Sequence, residues 1–374
     1  MTTIATLLEA HENCFEAEAD LEAANEYCRM RGWTDGLPVI PPTPERVERM
    51  LSYCDRPWDQ PIAKIPPRYG DATPLRLAAN AVMAGCAPEY FPLVMLAIEA
   101  MAEEQFNLYG IQATTHVCAP LILINGPVAR ELGVNSGHAA LGAGTHSNAT
   151  IGRAIRLALV NVGGAIPGVG DMATYGSPTK FSYCAAENEA ASPWPPLHVD
   201  RGCPADASAV TVVAAEAPHN INDHESTTAE GILKTIVGTL AITGANDVNY
   251  PLAEPVLLMC PEHAATVAAG GYSKQDVKQY VYEHARVPLG KFSDDNIARR
   301  LRVKFGDRYK NSGPDELVPM IQSPDKLIVV VIGGAGKHSA FIPTFGSTRA
   351  VTRPLRHADG RMVASIQDLR RKPN

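Results

Sequence analysis

The chain has 374 residues, 45% of them hydrophobic, 20% charged and 6% aromatic, which is the make-up of a folded globular protein and excludes disordered, collagen-like and coiled-coil chains. A formal charge of −7 argues against nonspecific nucleic-acid binding. The longest apolar run, Leu327 to Ala335, stops near half of the roughly 18 residues a membrane helix needs. The length suits one large α/β unit or two fused ones.

The opening residues turn acidic at once and lack the basic region and cleavage site of a leader, so a cytoplasmic location is expected. From Thr2 to Arg29, Ile4, Leu7, Leu8, Leu21, Ala24 and Cys28 recur at helical spacing among glutamates, as in an acidic amphipathic helix or pair. Gly32 to Gly36 form a turn, and Leu37 to Pro42 are extended because proline disfavours helix before it. Thr43-Pro44 and Thr73-Pro74 each read as a cap and first helical position, the second helix ending near Gly85, and Pro88 opens another to about Glu103. Residues 1–105 thus form a mainly helical N-terminal region.

Beyond it, strands are expected over Pro120 to Asn125, Ala209 to Ala215, Pro255 to Cys260 and Lys326 to Gly333. Helices are expected over Asn148 to Asn161, Thr227 to Thr243, Glu262 to Ala269 and Ser273 to Ala285. Strands separated by helices do not pair as hairpins, so residues 106–348 read as an α/β core, a mixed or mostly parallel sheet with helices packed on it. Pro120 to Arg130 resembles Pro255 to Ala265, a pattern that two related βα halves or one recurring βα unit produces. Residues 349–374 form a basic tail, either solvated or paired with the acidic N-terminus.

Chemistry is expected in polar, glycine-rich segments. The eight cysteines are scattered, with no C-x-x-C pair, and in a reducing compartment most are small buried hydrophobes. Cys184, with Lys180 nearby and Glu187 and Glu189 following, is the candidate thiolate. Between Gly142 and Arg153, glycines allow close approach of a ligand. Asn148 or Thr150 caps a helix there, and Arg153 adds charge for an anion. The loop after the strand Ala209 to Ala215 gathers His219, Asn222, Asp223 and His224, placed where α/β sheets bind ligands. Its histidines, five apart, suit acid–base work or, with His116 and Asp223, a divalent metal; the rival reading is capping of the next helix. Gly333 to Ser339 looks like a phosphate loop, but Val331 and His338 stand where a nucleotide-binding loop needs glycine and Ser or Thr. Lys337 can still hold an anion there, and His338 can move a proton.

Arg31 to Arg46, Asn148 to Ala154, Cys184 to Glu189 with Ser192-Pro-Trp194 and Leu197 to Val199, and Gly336 to Ser339 resemble a bacterial family, the UGSC-type proteins, whose members sometimes carry, or are encoded near, a small domain with a Cys- or selenocysteine-Gly-Ser-Cys motif. The likeness covers about residues 25 to 354. It implies thiol- or selenol-linked redox or elimination chemistry shared with a partner that supplies Cys-Gly-Ser-Cys, a motif missing here.

The leading expectation is an enzyme or large enzyme subunit that acts on a small anionic substrate by lyase or thiol-linked reductive cleavage chemistry. Asn148, Thr150, Arg153, Lys337 and Asn222 bind the substrate, and His219, His224, Cys184, Glu187 and His338 perform the chemistry. One alternative is a metal-dependent hydrolase or hydratase built on His116, His219, Asp223 and His224. Another is a noncatalytic scaffold subunit. The complementary charged termini suggest a homo-oligomer.

Overall fold

The prolines that open the N-terminal helices occupy a turn where a missing N–H costs nothing. The computed structural model describes residues 4–9, 14 and 20–371. The acidic helix expected over 2–29 falls partly outside them; its described parts are Ile4–Glu9 (α1) and Leu21–Met30 (α2). Pro44–Leu51 (α3) and Pro74–Ala84 (α4) follow as expected, Thr73 accepting a hydrogen bond from Arg76 N–H. Gly85 ends α4 at φ 86°, a left-handed conformation that favours glycine. Phe91–Met101 (α5) is buried almost all round, and Leu108–Ala113 (α6) leads into the core.

The strands are β1 (Ala63–Ile65), β2 (Gly70–Ala72), β3 (Ala119–Asn125), β4 (Cys184–Ala186), β5 (Ala209–Ala215), β6 (His219–Asn222), β7 (Val256–Met259), β8 (Arg286–Pro288), β9 (Leu317–Pro319), β10 (Ile328–Val331), β11 (His338–Ile342) and β12 (Val351–Pro354). The later helices are α7 (Pro127–Glu131), α8 (His146–Asn161), α9 (Leu197–Asp200), α10 (Ala229–Leu240), α11 (Asn246–Asn249), α12 (Pro261–Ala269) and α13 (Lys274–His284). β1 pairs with β2 and β8 with β9; the remaining strands build two four-stranded sheets in the orders β12-β5-β3-β4 and β10-β7-β11-β6. In each sheet one pair is parallel, β3 with β4 and β7 with β10, and the others are antiparallel. The protein is α/β with mixed sheets.

Successive side chains on a strand point to opposite faces, and here both faces are covered. Leu121, Leu123 and Val213 meet Val256, Leu258 and Ile342 between the sheets. Ile122, Ile124 and Val212 face α4, α5 and α8, whereas Leu257, Met259, Val329 and Phe341 face α10, α12 and α13. The result is four layers, helix, sheet, sheet and helix. Burial on both faces explains why β3, β5, β7 and β10 read as unbroken apolar runs rather than as alternating ones.

The two sheets share one strand order and exchange their last strands. β6 follows β5 in the chain but pairs with β11 of the other sheet, and β12 follows β11 but pairs with β5. At the crossing Glu216 N–H donates to Pro343 O and Phe345 N–H to Ala214 O, both at 2.8 Å. Two buried carboxylates fix the second crossing segment. Asp247 accepts from Thr344 N–H and Oγ1 at 3.0 and 2.8 Å, and Glu254 accepts from Ala350 N–H at 2.7 Å. The basic tail is therefore built into the fold: β12 completes the first sheet, and Val363, Ile366 and Leu369 join the helical core. Its charges meet residues beyond the acidic helix, Arg353 pairing with Glu103 and Arg371 reaching the carbonyl of Arg56. Among the described residues no helix is long and apolar enough to cross a membrane.

Burial raises Asp247 to about 7 against the hydrogen bonds from Thr344. A carboxyl raised above its unfolded value of about 3.9 contributes stability that is present below that value and is lost as pH rises through about 7, on the order of 4 kcal/mol in all. Urea unfolding of wild type should therefore weaken between pH 4 and 7 relative to Asp247→Asn, which keeps the acceptor but does not titrate. Parallel pH profiles of the two proteins would contradict this.

Candidate active site

β7 ends at Met259, and Cys260 caps α12, whose first residue is Pro261. One turn into that helix His263 returns toward the cap. Ser339, on the helix-facing side of the antiparallel neighbour β11, closes the group. Ser339 Oγ lies 2.8 Å from His263 Nδ1, accepts from Cys260 N–H at 3.1 Å and stands 3.7 Å from Cys260 Sγ. His263 Nε2 donates to the carbonyl of Asp223 at 3.0 Å. Cys260, His263 and Ser339 are each no more than 2% exposed.

Burial raises the Cys260 thiol, but hydrogen bonds from the His263 side chain and backbone N–H, with Ser339, outweigh it and hold the thiol below its ordinary value. Burial lowers His263, and its bonds to Cys260 and to the Asp223 carbonyl reverse that and raise it. The pair therefore leans toward thiolate and imidazolium, as a helix N-terminus favours. Elsewhere burial dominates. It pushes the thiols of Cys86 and Cys118 up to about 12 and lifts Cys28, Cys54, Cys184 and Cys203.

The glycine-rich segment between β10 and β11 lies over the first turn of α12, where Gly336 N–H donates to the Glu262 carboxylate. Gly333 and Gly336 have φ of 116° and 135°, with open space where a side chain would start. Lys337 Nζ donates to the carbonyl of His224 at 2.7 Å. Asp223 stays ionised: burial raises it, but Thr235 Oγ1 and Ser226 N–H bring it down to about 2.

The expected site residues separate into several places. His338 and His224 meet, Nε2 to Nε2, at 3.2 Å, and His338 Nδ1 contacts Asn220 Oδ1 at 3.0 Å. This exposed pair lies across β11 from Ser339, because adjacent strand residues face opposite ways. His219 and Asn222 are exposed on β6. His116 instead bonds Glu216 at 2.6 Å and stacks on Phe345. Among the described residues no three His, Cys, Asp or Glu side chains come together as metal ligands, so the set His116, His219, Asp223 and His224 does not fit a divalent ion.

Cys184 faces the helix-packed core on β4, where burial lifts its thiol. Buried Glu187, raised by burial, accepts from Leu197 N–H and Asn125 Nδ2, both at 2.7 Å. The anion site expected before α8 is spent internally. Asn148 bonds Asn135 and Ala140, and Thr150 Oγ1 donates to His146 O. Arg153 clamps Asp35 at 2.8 and 2.9 Å and also bonds the carbonyls of Leu37 and Pro38. Of the expected binding residues, Lys337 is the one beside the thiol cluster.

Sequence reasoning placed Cys260 at a strand end and passed over His263 and Ser339. The available signal was a cysteine at a strand-to-helix junction, with Pro261 opening the helix and a histidine one turn on. Comparison with protein-family models, curated proteins and solved structures finds no match to this chain.

Iodoacetamide should label Cys260, read by peptide mapping, with a rate midpoint below the ordinary thiol value of about 8.5. His263→Ala removes donors to the thiolate, so its midpoint should rise. A labelling midpoint for Cys260 at or above that value would contradict the assignment.

Proposed function

We propose that the protein is a thiol-dependent enzyme that cleaves a small anionic substrate at Cys260. The observation that carries this reading is the Cys260 thiol, held below its ordinary value at the N-terminus of α12 beside His263. The thiolate attacks an electrophilic carbon or sulfur of the substrate, and the bond to the leaving group breaks with its electron pair. The proton held by His263 then neutralises that group. Release of the product falls to a dithiol, the role that the Cys-Gly-Ser-Cys partner implied by the resemblance would fill: one of its thiolates attacks the Cys260 sulfur, the bond from sulfur to the substrate fragment breaks with its electron pair, which takes up a proton, and the second thiol displaces Cys260 from the mixed disulfide, so that the dithiol is oxidised as the substrate is reduced.

Lys337, next to the glycine that lies over α12, supports the choice of an anion; its ammonium sits on the carbonyl of His224, one residue from the Asp223 carbonyl that holds His263. Movement of residues 333–337 about Gly333 and Gly336 opens the way to Cys260. A cytoplasmic location is part of the proposal, because a reducing compartment keeps the thiol free.

A dianionic bis(nitrobenzoate) disulfide and a neutral dipyridyl disulfide test the reading. Both should form a mixed disulfide at Cys260. Lys337→Met should slow the anionic probe about five-fold more than the neutral one, roughly the 1 kcal/mol of one charge at close range in water. Labelling of other cysteines at equal rates, or an equal effect of Lys337→Met on both probes, would overturn it.

A further inference from the structure

The hydrogen-bond directions around His263 leave one hydroxyl between the base and the thiol. A carbonyl only accepts, so the 3.0 Å contact with Asp223 O requires His263 Nε2 to carry a proton whatever the state of the ring. In the neutral imidazole Nδ1 is then the acceptor, and Ser339 Oγ faces it at 2.8 Å. The same oxygen lies 3.7 Å from Cys260 Sγ and accepts from Cys260 N–H at 3.1 Å, which fixes its orientation.

We infer that Ser339 is a proton relay, passing the Cys260 proton to His263 Nδ1 through its hydroxyl. This rests on the thiol reading above. In the neutral form S–H donates to Ser339 Oγ and the Ser339 O–H donates to Nδ1; in the ion pair the hydroxyl donates to sulfur, the direction the structure shows. Transfer moves the thiol proton onto Oγ and the original hydroxyl proton onto Nδ1. The products are a thiolate accepting from Ser339 and an imidazolium donating to it. One S–H and one O–H bond break while one O–H and one N–H bond form, with no electron gained or lost overall. The serine accepts two hydrogen bonds and donates one on each side of the step, so no buried polar group is left unpaired.

The charged groups nearby keep other partners. The Asp223 carboxylate is held by Ser226 N–H and Thr235 Oγ1, Glu262 by Gly336 N–H, and Lys337 Nζ by the carbonyl of His224. The exposed His224 and His338 pair lies across β11. The path through Ser339, at 2.8 Å from Nδ1 and 3.7 Å from sulfur, therefore links His263 to sulfur alongside the hydrogen bond of the His263 side chain itself. Ser339 touches no substrate in this arrangement and acts through Cys260.

The test is the pH profile of the native full-length protein reacting with dipyridyl disulfide, together with Ser339→Ala, Ser339→Thr and Ser339→Ala/His263→Gln. Ser339→Ala should raise the midpoint toward about 8.5 and slow the reaction near neutral pH by roughly ten- to a hundred-fold. Ser339→Thr, which restores a hydroxyl, should recover the low midpoint. In the alanine background His263→Gln should raise the midpoint by less than loss of His263 does in the wild type, because the link through Ser339 is already cut. A low midpoint retained in Ser339→Ala, or additive losses in the double variant, overturns the relay while leaving Cys260 as the reactive thiol. A raised midpoint in both single variants, with both folded by thermal unfolding, also overturns it. A wild-type Cys260 without a low midpoint would bring down the relay and the thiol reading together.

Discussion

Ser339 reaches Cys260 because β11 runs antiparallel to β7 with Ala340 opposite Leu258. A slip of one residue would turn Ser339 toward the other sheet and bring an apolar side chain over α12. The register is held from both sides. Phe341 locks into the helix-facing core, and Ile342 into the layer between the sheets. Strand exchange adds a further restraint, since β11 is also clamped by β6, which follows β5 of the other sheet. The site thus inherits its geometry from the packing of both sheets.

Two opposing effects meet at the thiol. Burial at Cys86 and Cys118 disfavours the thiolate, lifting both to about 12, on the order of 4 kcal/mol against ionisation. At Cys260 the sum has the other sign, because three donors converge on sulfur and a helix begins there. Position in the fold therefore sets the direction in which each thiol is shifted. Lys180 shows the same rule: it sits four residues from Cys184, yet its ammonium is bound to the buried Asp171 at 2.7 Å.

Much of the fold was legible in the sequence because its signals are local. Thr73-Pro74 and Gly85 bracket α4, and the apolar runs of β3, β5, β7 and β10 stand where expected. The short strands were not legible. β4 and β6 read as polar loops, and β12 as part of a basic tail, since each is held by a partner distant in sequence. The site was legible only in part for the same reason. Lys337 stands near the cluster through local glycine-rich character. Cys260, His263 and Ser339 gain meaning from a contact spanning 79 residues, which no local motif encodes. Asn148 and Arg153 misled because their polarity serves the chain itself, holding a turn and the segment after Gly36.

The claim at the centre of this account is that Cys260 is a thiolate stabilised by His263 within a buried cluster. Ultraviolet thiolate absorbance, titrated against pH as the difference between wild type and Cys260→Ser, measures it without any substrate. The account predicts a single thiolate appearing below the ordinary thiol range of about 8.5 and vanishing on acidification together with the His263 imidazolium pairing seen by NMR. A difference spectrum that rises only above that range would contradict it.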